Sequence, residues 1–286
     1  MYFVIGVTSI VGNLITVTVI LKFKLYKHSQ YIYKFCIGVS DFLLGFVIMY
    51  YLFQDIFLIF LRFNTDKLLT TNFLRKNSND SFTEVIEFYN SSMLVKIILF
   101  PGFSCIHVSS LTLVLSAYDR YKSIAHPFLY KRSNNVKKAV YSSVFVWLLE
   151  IIIVILSKLV NLVHLSFLLF YCFPFVLMWI FTVLCIFSLG KSYKSSKKLK
   201  RTYFKKRNIE LKLSVLFFAM VVAYTLSTSM FICFYIHDVI FDYKFSPNLF
   251  FISFTLLTTN STWNFFLYNL MNKKFRTYVK LLFFKE

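Results

Sequence analysis

Residues 97–118, IILFPGFSCIHVSSLTLVLSAY, contain no lysine, arginine, aspartate or glutamate, and they end at Asp119-Arg120-Tyr121. About 20 helical residues cross a hydrocarbon core about 30 Å thick, so this run is long enough to span a membrane. Arg120 can extend towards water, but the anionic lipids of a membrane surface repel the neighbouring Asp119. Because ionised groups near a bilayer are costly, the pair of charges indicates a function within the protein.

The whole chain has the composition of a helical membrane protein. Of its 286 residues, 58% are hydrophobic and only 15% are charged, whereas a soluble domain has about 25% charged residues. The predicted spans are Met1–Leu21, Lys34–Leu61, Lys96–Tyr121, Ala139–Ser157, Leu165–Gly190, Leu213–His237 and Phe245–Met271. They lack the alternating polar pattern of a membrane barrel. We therefore predict an all-α membrane protein, with seven transmembrane helices in a single domain over residues 1–286.

Basic residues predict the orientation of these spans. Twenty-five of the 32 lysines and arginines fall in four segments: Lys22–Lys34, Arg120–Lys138, Lys191–Lys212 and Lys273–Lys285. These segments alternate along the chain, and the positive-inside rule makes their side of the membrane cytoplasmic. The amino terminus is then extracellular, as for a multi-pass protein of the plasma membrane, and the carboxyl terminus is cytoplasmic. The net charge of +20 is thus a signal of topology, and we predict no nucleic-acid partner.

Two further patterns concern the loops. The glycosylation sequons at Asn79 and Asn90 lie between spans two and three, on the predicted outer side, which agrees with the orientation. The basic segment Lys191–Lys212 has two interpretations, a stretch that faces anionic lipids or a docking surface for a cytoplasmic partner. Met1 begins the first apolar run without a basic leader or a small-residue cleavage site. We therefore predict a membrane span there and not a signal peptide.

The chain shows none of the sequence patterns of an enzyme. Its five cysteines all lie in apolar runs and are odd in number, which favours buried free thiols and no disulfide. The histidines are scattered, and there is no metal-ligand spacing, no glycine-rich phosphate loop and no grouping of a nucleophile with a base. We predict no catalytic residue.

Asp41, inside span two, is the most informative polar residue of the apolar runs. A carboxylate at such a depth costs roughly 2.5–3.5 kcal/mol, so it is expected to face the bundle and to find partners. The candidate partners in other spans are Asn13, Ser109, Asn260, Ser261 and Asn264. The last three are three or four residues apart and can share one helical face. Two interpretations stay open: oxygen ligands around a small hard cation such as Na⁺, or a polar network without an ion.

Six motifs in six spans carry a family resemblance. They are Gly12-Asn13, Ser40-Asp41-Phe42-Leu43, Asp119-Arg120-Tyr121 with Pro127 soon after, Trp147, Pro174, and Asn264-Phe265-Phe266-Leu267-Tyr268. In type and order they resemble the rhodopsin-like (class A) G-protein-coupled receptors over essentially the whole chain, and the composition is similar to that of divergent, orphan-type invertebrate members. The resemblance implies a receptor that binds an unknown extracellular ligand and activates a heterotrimeric G protein.

The resemblance also implies roles for individual residues. Arg120 is expected to pair with Asp119 at rest, with Glu210 as a second partner, and to meet the G protein when released. Phe128 is expected to insert into the G-protein surface, and the tail 272–286 to form an amphipathic helix on the inner leaflet. The positions of the activation core are Asn13, Asp41, Trp147, Pro174, Tyr224, Asn264 and Tyr268. A sodium pocket is implied at Asp41, Ser109, Asn260, Ser261 and Asn264.

Several positions depart from the family pattern. Span six has neither proline nor tryptophan in its switch region, Tyr224–Met230, and Phe265 replaces the usual proline of span seven. Val95 stands where the outer cysteine is customary. Gly102 replaces the acid that binds amines, and Thr258 replaces the lysine that links retinal. We therefore expect neither a monoamine ligand bound through the usual salt bridge nor retinal.

Two alternative functions stay open beside the signalling receptor. The missing switch of span six favours a seven-helix binding or scaffold protein that no longer signals. A transporter or channel is less favoured, because charges in the middle of the spans are few and no inverted repeat is visible.

Overall fold

Helices account for every element of regular structure in the residues that the computed structural model describes: 1–69, 93–133, 135–160, 172–196, 201–241 and 247–284. They are α1 (Tyr2–Lys22), a short 3-10 turn (Leu25–Lys27), α2 (Ser29–Leu69), α3 (Met93–Ala125), α4 (Pro127–Arg132), α5 (Asn135–Val160), α6 (Phe173–Ser196), α7 (Arg201–Phe241), α8 (Pro247–Met271) and α9 (Lys273–Phe283). Stretches long and apolar enough to cross a membrane lie in α1, α2, α6 and α7 among these residues. The predicted all-α bundle of seven transmembrane helices, α1–α3 and α5–α8, is confirmed.

Two helices extend well beyond the predicted spans. Helix α2 begins at Ser29, not at Lys34, and ends at Leu69. Helix α7 begins at Arg201, not at Leu213, and continues for 41 residues. Its sequence contains no proline and no glycine, and lysine and arginine are good helix formers. Hydropathy predicted only the apolar part of each helix, because polar residues continue a helix into water as readily as apolar ones do.

The long helices close into a ring with α3 near its centre. Helix α1 packs along α2, and α8 packs against α7, α1 and α2. Helix α3 contacts α2, α5, α6 and α7. Large apolar side chains such as Phe145, Phe187 and Leu226 are exposed on the outside, and polar ones such as Asn13 and Thr258 are buried inside. This inside-out distribution is expected for a bundle whose outer surface meets lipid.

Helix α9 folds back against the bundle. Asn272 precedes the helix, and its side-chain oxygen accepts a hydrogen bond from the Phe275 backbone N–H at 3.2 Å, which caps the first turn. The Phe275 side chain is completely buried and meets the ring of Tyr268 edge to face, with ring centroids 5.0 Å apart. The predicted amphipathic tail is therefore a helix whose apolar side is anchored on α1 and α8.

Candidate functional site

A cavity of about 940 Å³ opens where residues of three of the four basic segments meet the beginning of the apolar part of α7. We call this part of the molecule the basic end. The wall of the cavity is formed by the turn before α2, by α4, by α7 and by the junction of α8 with α9; it includes Lys27, Gln30, Tyr130, Leu216, Tyr268 and Asn272. A single depression is thus bounded by segments that are far apart in the sequence.

Asp119 and Arg120 lie beside this cavity and are held by different partners. The Arg120 guanidinium donates a hydrogen bond to the Gln30 side-chain oxygen of α2. The Asp119 carboxylate accepts from the Ser29 hydroxyl at 3.1 Å and from the Tyr130 hydroxyl at 2.9 Å. Among the described residues, these two charged groups make no N–O contact within 4.0 Å. The direct pairing that the resemblance implies is therefore replaced here, because neutral groups of α2 and α4 satisfy both charges.

Tyr130 joins α4 to the triad as a hydrogen-bond donor. Burial, followed by the nearby negative charge of Asp119, raises the pKa of the Tyr130 hydroxyl. The hydroxyl therefore keeps its proton at neutral pH and can donate to the carboxylate. The predicted second partner, Glu210, belongs to α7, but its side chain lies outside the described part of the structure.

The outer side of α4 carries exposed apolar side chains. Phe128 is 88% exposed and Leu129 is 68% exposed. Tyr121, at the end of the triad, is half-buried, and its ring meets His126 edge to face at 6.3 Å between centroids. Bare apolar side chains next to a cavity are typical of a surface that binds another protein.

Asp41 is the centre of a second polar site, deep between α2, α3 and α8. Its side chain is 1% exposed. The Asn264 amide nitrogen donates to a carboxylate oxygen of Asp41 at 2.9 Å, and Ser109 of α3 interacts with the same carboxyl group. The structure thus brings three of the predicted residues together at one buried charge.

Hydrogen bonds of Asn13 connect α1 to α8 beside this site, and Asn260 lies one helical turn before Asn264. The Asn13 amide donates to the backbone oxygens of Ser9, at 2.9 Å, and Ser261, at 3.2 Å. The Ser9 hydroxyl donates to the backbone oxygen of Asp41 at 2.7 Å. The side-chain oxygens of Asn13 and Asn260 are buried, and they have no hydrogen-bond partner among the described residues. Hydrogen bonds to backbone oxygens therefore join α1, α2 and α8. The side-chain oxygens of Asn13 and Asn260 remain as buried acceptors.

Lys34 is a member of this site that the sequence analysis missed. Its side chain is only 3% exposed, and its ammonium donates to the Asn264 backbone oxygen at 2.9 Å. The ammonium also lies 4.9 Å from the centroid of the Tyr268 ring. By its position in the sequence, Lys34 belongs to the basic residues that flank span two. The spacing to Asp41 was the available signal, because seven residues are two helical turns and place both side chains on one face.

His107 and Glu150 form a second buried pair that was not predicted. The His107 Nδ1 atom lies 3.3 Å from a carboxylate oxygen of Glu150, and this contact joins α3 to α5. Both side chains are buried. A glutamate within the apolar run of span four is the sequence signal that went unused.

The remaining positions of the predicted activation core pack as apolar side chains. Trp147 of α5 packs against a cluster that contains Cys36, Val108 and Val146. Pro174 is buried in the first turn of α6, where its missing N–H costs no hydrogen bond within the helix. Tyr224 of α7 is 1% exposed and packs in the largest apolar cluster.

Modification sites and thiols add little to the site. All five cysteines are free in the structure. The sequons at Asn79 and Asn90 lie outside the described residues. No group of three or more histidine, cysteine, aspartate or glutamate side chains that could hold a metal ion occurs within the described ranges.

A family model described as 7 transmembrane receptor (rhodopsin family) matches residues 55–164. The matched segment contains the Asp119-Arg120-Tyr121 triad and Trp147. Over this segment the chain is similar to the rhodopsin-like receptors. This family consists of receptors and not of enzymes, and a rhodopsin-like receptor is a multi-pass protein of the plasma membrane with an extracellular ligand and a G protein as its general partners. No curated protein matches the chain.

Proposed function

We propose that this rhodopsin-like receptor binds an extracellular ligand and activates a heterotrimeric G protein at its basic end. That end then faces the cytoplasm, and the amino terminus is extracellular. The observation that best supports the proposal is the 940 Å³ cavity beside Arg120. Its walls come from α2, α4, α7, α8 and α9, so a shift of any of these helices would change its shape.

The hydrogen bonds around the triad favour access to Arg120. The guanidinium is held by a neutral amide, Gln30, and Asp119 is occupied by the hydroxyls of Ser29 and Tyr130. Replacing the hydrogen bond between the Arg120 guanidinium and the neutral Gln30 amide by one to a partner protein costs less free energy than separating a buried ion pair. A partner that enters the cavity can therefore engage Arg120 without first breaking a contact with Asp119.

Charge and apolar surface at the cavity rim suit a protein partner. The cationic side chains that line the cavity include Lys27, Lys131, Lys273 and Lys274. Such a rim raises the rate of encounter with an acidic surface. The exposed Phe128 on α4 supplies an apolar contact of the kind that dominates binding energy at protein interfaces.

Packing at two positions supports the exclusion of two ligand classes. At Gly102 a Cβ atom would lie 2.9 Å from the Val47 side chain, so a larger acidic residue would not fit without movement. Thr258 is completely buried, and its hydroxyl donates to the Thr255 backbone oxygen at 2.8 Å. We propose that the ligand is neither a monoamine held by the usual salt bridge nor retinal.

A non-signalling scaffold is the second candidate, and α7 is the reason. The helix runs unbroken from Arg201 to Phe241, without the proline that would permit a bend. The Trp179 indole N–H of α6 donates to the Thr225 hydroxyl of α7 at 3.1 Å. Because this bond joins the two helices, it opposes their separation.

Nucleotide exchange on purified G proteins tests the proposal directly. The receptor, in lipid nanodiscs and without added ligand, is mixed with representatives of each G-protein class. We expect one class to show accelerated exchange. In Arg120→Ala the acceleration should fall by about 10–100-fold, which corresponds to the loss of hydrogen bonds to a charged group. Lys22→Ala, which removes an exposed charge at the end of α1, should leave the exchange rate unchanged.

The same exchange assay can also favour the scaffold. If folded wild type accelerates exchange in no G-protein class, and Thr225→Val is equally silent, the signalling proposal is wrong. If only Thr225→Val is active, the bond between Trp179 and Thr225 holds the receptor in its resting state.

A further inference from the structure

Asp41 sits where the family resemblance implies a sodium ion, but the side chains around it fit that ion poorly. Na⁺ is bound by oxygen lone pairs. Asn264 instead turns its amide nitrogen towards Asp41, at 2.9 Å. The Ser261 hydroxyl donates to the Thr258 backbone oxygen of its own helix, at 2.9 Å. Asn264 thus presents a donor to Asp41 in place of an oxygen ligand, and the Ser261 hydroxyl proton is directed to its own helix.

A positive charge is already present in the same site. The Lys34 ammonium is enclosed between α2 and α8, where it donates to the Asn264 backbone oxygen and lies over the Tyr268 ring. Asp41 is the only charged group that acts on Lys34, and Lys34 is the only charged group that acts on Asp41, among the described residues. Each is therefore the counter-charge of the other.

Asn264 connects the two charges. Its side-chain nitrogen donates to Asp41, and its backbone oxygen accepts from Lys34. The lysine and the aspartate do not approach within 4.0 Å of each other in the described structure. A single residue of α8 thus bridges a cation and an anion that both belong to α2, two helical turns apart.

We propose that the Lys34 ammonium is the resident counter-cation of Asp41 and that it excludes sodium from this pocket. A buried carboxylate needs a compensating charge, and a covalently attached cation supplies it at every sodium concentration. A second cation in the same pocket would meet the repulsion of the first. That repulsion is expected to weaken sodium binding by about tenfold or more. The inference is independent of signalling, since it concerns only the stability of the folded bundle.

Removing the lysine should create the site that the family resemblance implies. Without its ammonium, the Asp41 carboxylate keeps the nearby Ser109 hydroxyl. The buried side-chain oxygens of Asn13 and Asn260, which have no partner among the described residues, become available to a cation. The variant Lys34→Met preserves the length of the side chain and removes its charge.

Thermal unfolding of the purified receptor in detergent tests the inference. Each variant is measured in sodium chloride and in choline chloride at equal ionic strength. We expect the same Tm in both salts for wild type. For Lys34→Met we expect a sodium-specific rise of about 3–5 °C at ten times the dissociation constant. The rise should vanish in Lys34→Met/Asp41→Asn. Lys22→Met, an exposed lysine near an aromatic ring at the end of α1, should behave as wild type.

Each alternative result is decisive. A sodium-specific rise in wild type as large as that in Lys34→Met would overturn the proposal. A Lys34→Met variant that folds and ignores sodium would overturn it too, because the lysine would then exclude nothing. If Lys34→Met does not fold, the double variant Lys34→Met/Asp41→Asn decides. It should be more stable than Asp41→Asn alone if the two charges compensate each other, and an equal or lower Tm would contradict the pairing.

Discussion

His107 and Glu150 illustrate how single ionisable side chains are accommodated inside the bundle. Each comes from a helix whose neighbouring residues are largely apolar, and each is buried. The contact of 3.3 Å between them provides a partner where water is excluded. Removing one member of a buried pair is much more costly than replacing both members by apolar residues, because the first change leaves a charge without compensation.

This asymmetry gives a prediction for thermal stability. His107→Leu should destabilise the receptor by about 3–5 kcal/mol, whereas His107→Leu/Glu150→Leu should recover most of the loss. The measurement is the unfolding transition of each variant in detergent. His126→Leu, at an exposed histidine just before α4, is the control and should change little. A double variant as unstable as the single one would show that the pair does not matter for stability.

At the scale of elements, the contact between α1 and α8 depends on a glycine. Phe265 occupies the position where family members have proline, and α8 runs from Pro247 to Met271 as one helix. The Phe265 ring lies directly against the backbone of α1. A Cβ atom at Gly12 would be 2.6 Å from that ring, which is closer than two carbon atoms can pack. The absence of a side chain at Gly12 is therefore what lets the two helices approach.

Substitution of this glycine should separate the helices. Gly12→Ala is expected to cost about 1–3 kcal/mol, as overpacking does, and Gly12→Ala/Phe265→Leu should restore part of the loss. Gly190→Ala is the matched control, since nothing lies within 4 Å of a Cβ atom there. It should be neutral or stabilise α6 by about 0.5–1 kcal/mol. Equal effects of the two alanine substitutions on the unfolding temperature would contradict this account of the interface.

At the scale of the whole molecule, three of the four basic segments, Lys22–Lys34, Arg120–Lys138 and Lys273–Lys285, meet at one end of the bundle. Residues of the α1–α2 turn, α4, α7 and α9 line one cavity there. The positive-inside rule assigns that end to the cytoplasm. The loop with the sequons at Asn79 and Asn90 connects the opposite ends of α2 and α3, so the proposed orientation makes it extracellular.

Glycosylation in cells tests this orientation. We expect wild type to carry up to two glycans, which a glycosidase removes with an increase in gel mobility. Asn79→Gln and Asn90→Gln should each remove one glycan, and the double variant should not respond to the enzyme. A third match to the sequon, Asn260-Ser261-Thr262, lies in α8 with Asn260 buried, and it should stay unmodified. Glycans on a sequon introduced into α9, and none on Asn79 or Asn90, would reverse the proposed topology.

How far the sequence predicts this receptor depends on the range of the interaction. Apolar runs predicted seven spans, since hydropathy is a property of about 20 neighbouring residues. The predicted spans cover only the apolar parts of α2 and α7, because polar residues continue each helix beyond its apolar part. The spacing along α8 predicted that Asn264 lies on the helical face towards Asp41. The hydrogen bond between the two side chains agrees with this prediction. The family resemblance implied a pairing of Arg120 with Asp119, whereas in the structure Arg120 donates to Gln30 and Asp119 accepts from Tyr130.

The sequence by itself determined the fold class, the family resemblance and the predicted side of each loop, because these follow from local composition and from motifs within single helices. Only the tertiary structure decided which buried polar groups meet. Lys34 reaches Asn264 of α8, and Glu150 of α5 reaches His107 of α3. The physical reason is that periodicity orients a side chain on its own helix, whereas its partner depends on which helix packs against that face, and this is settled by the closure of the whole ring.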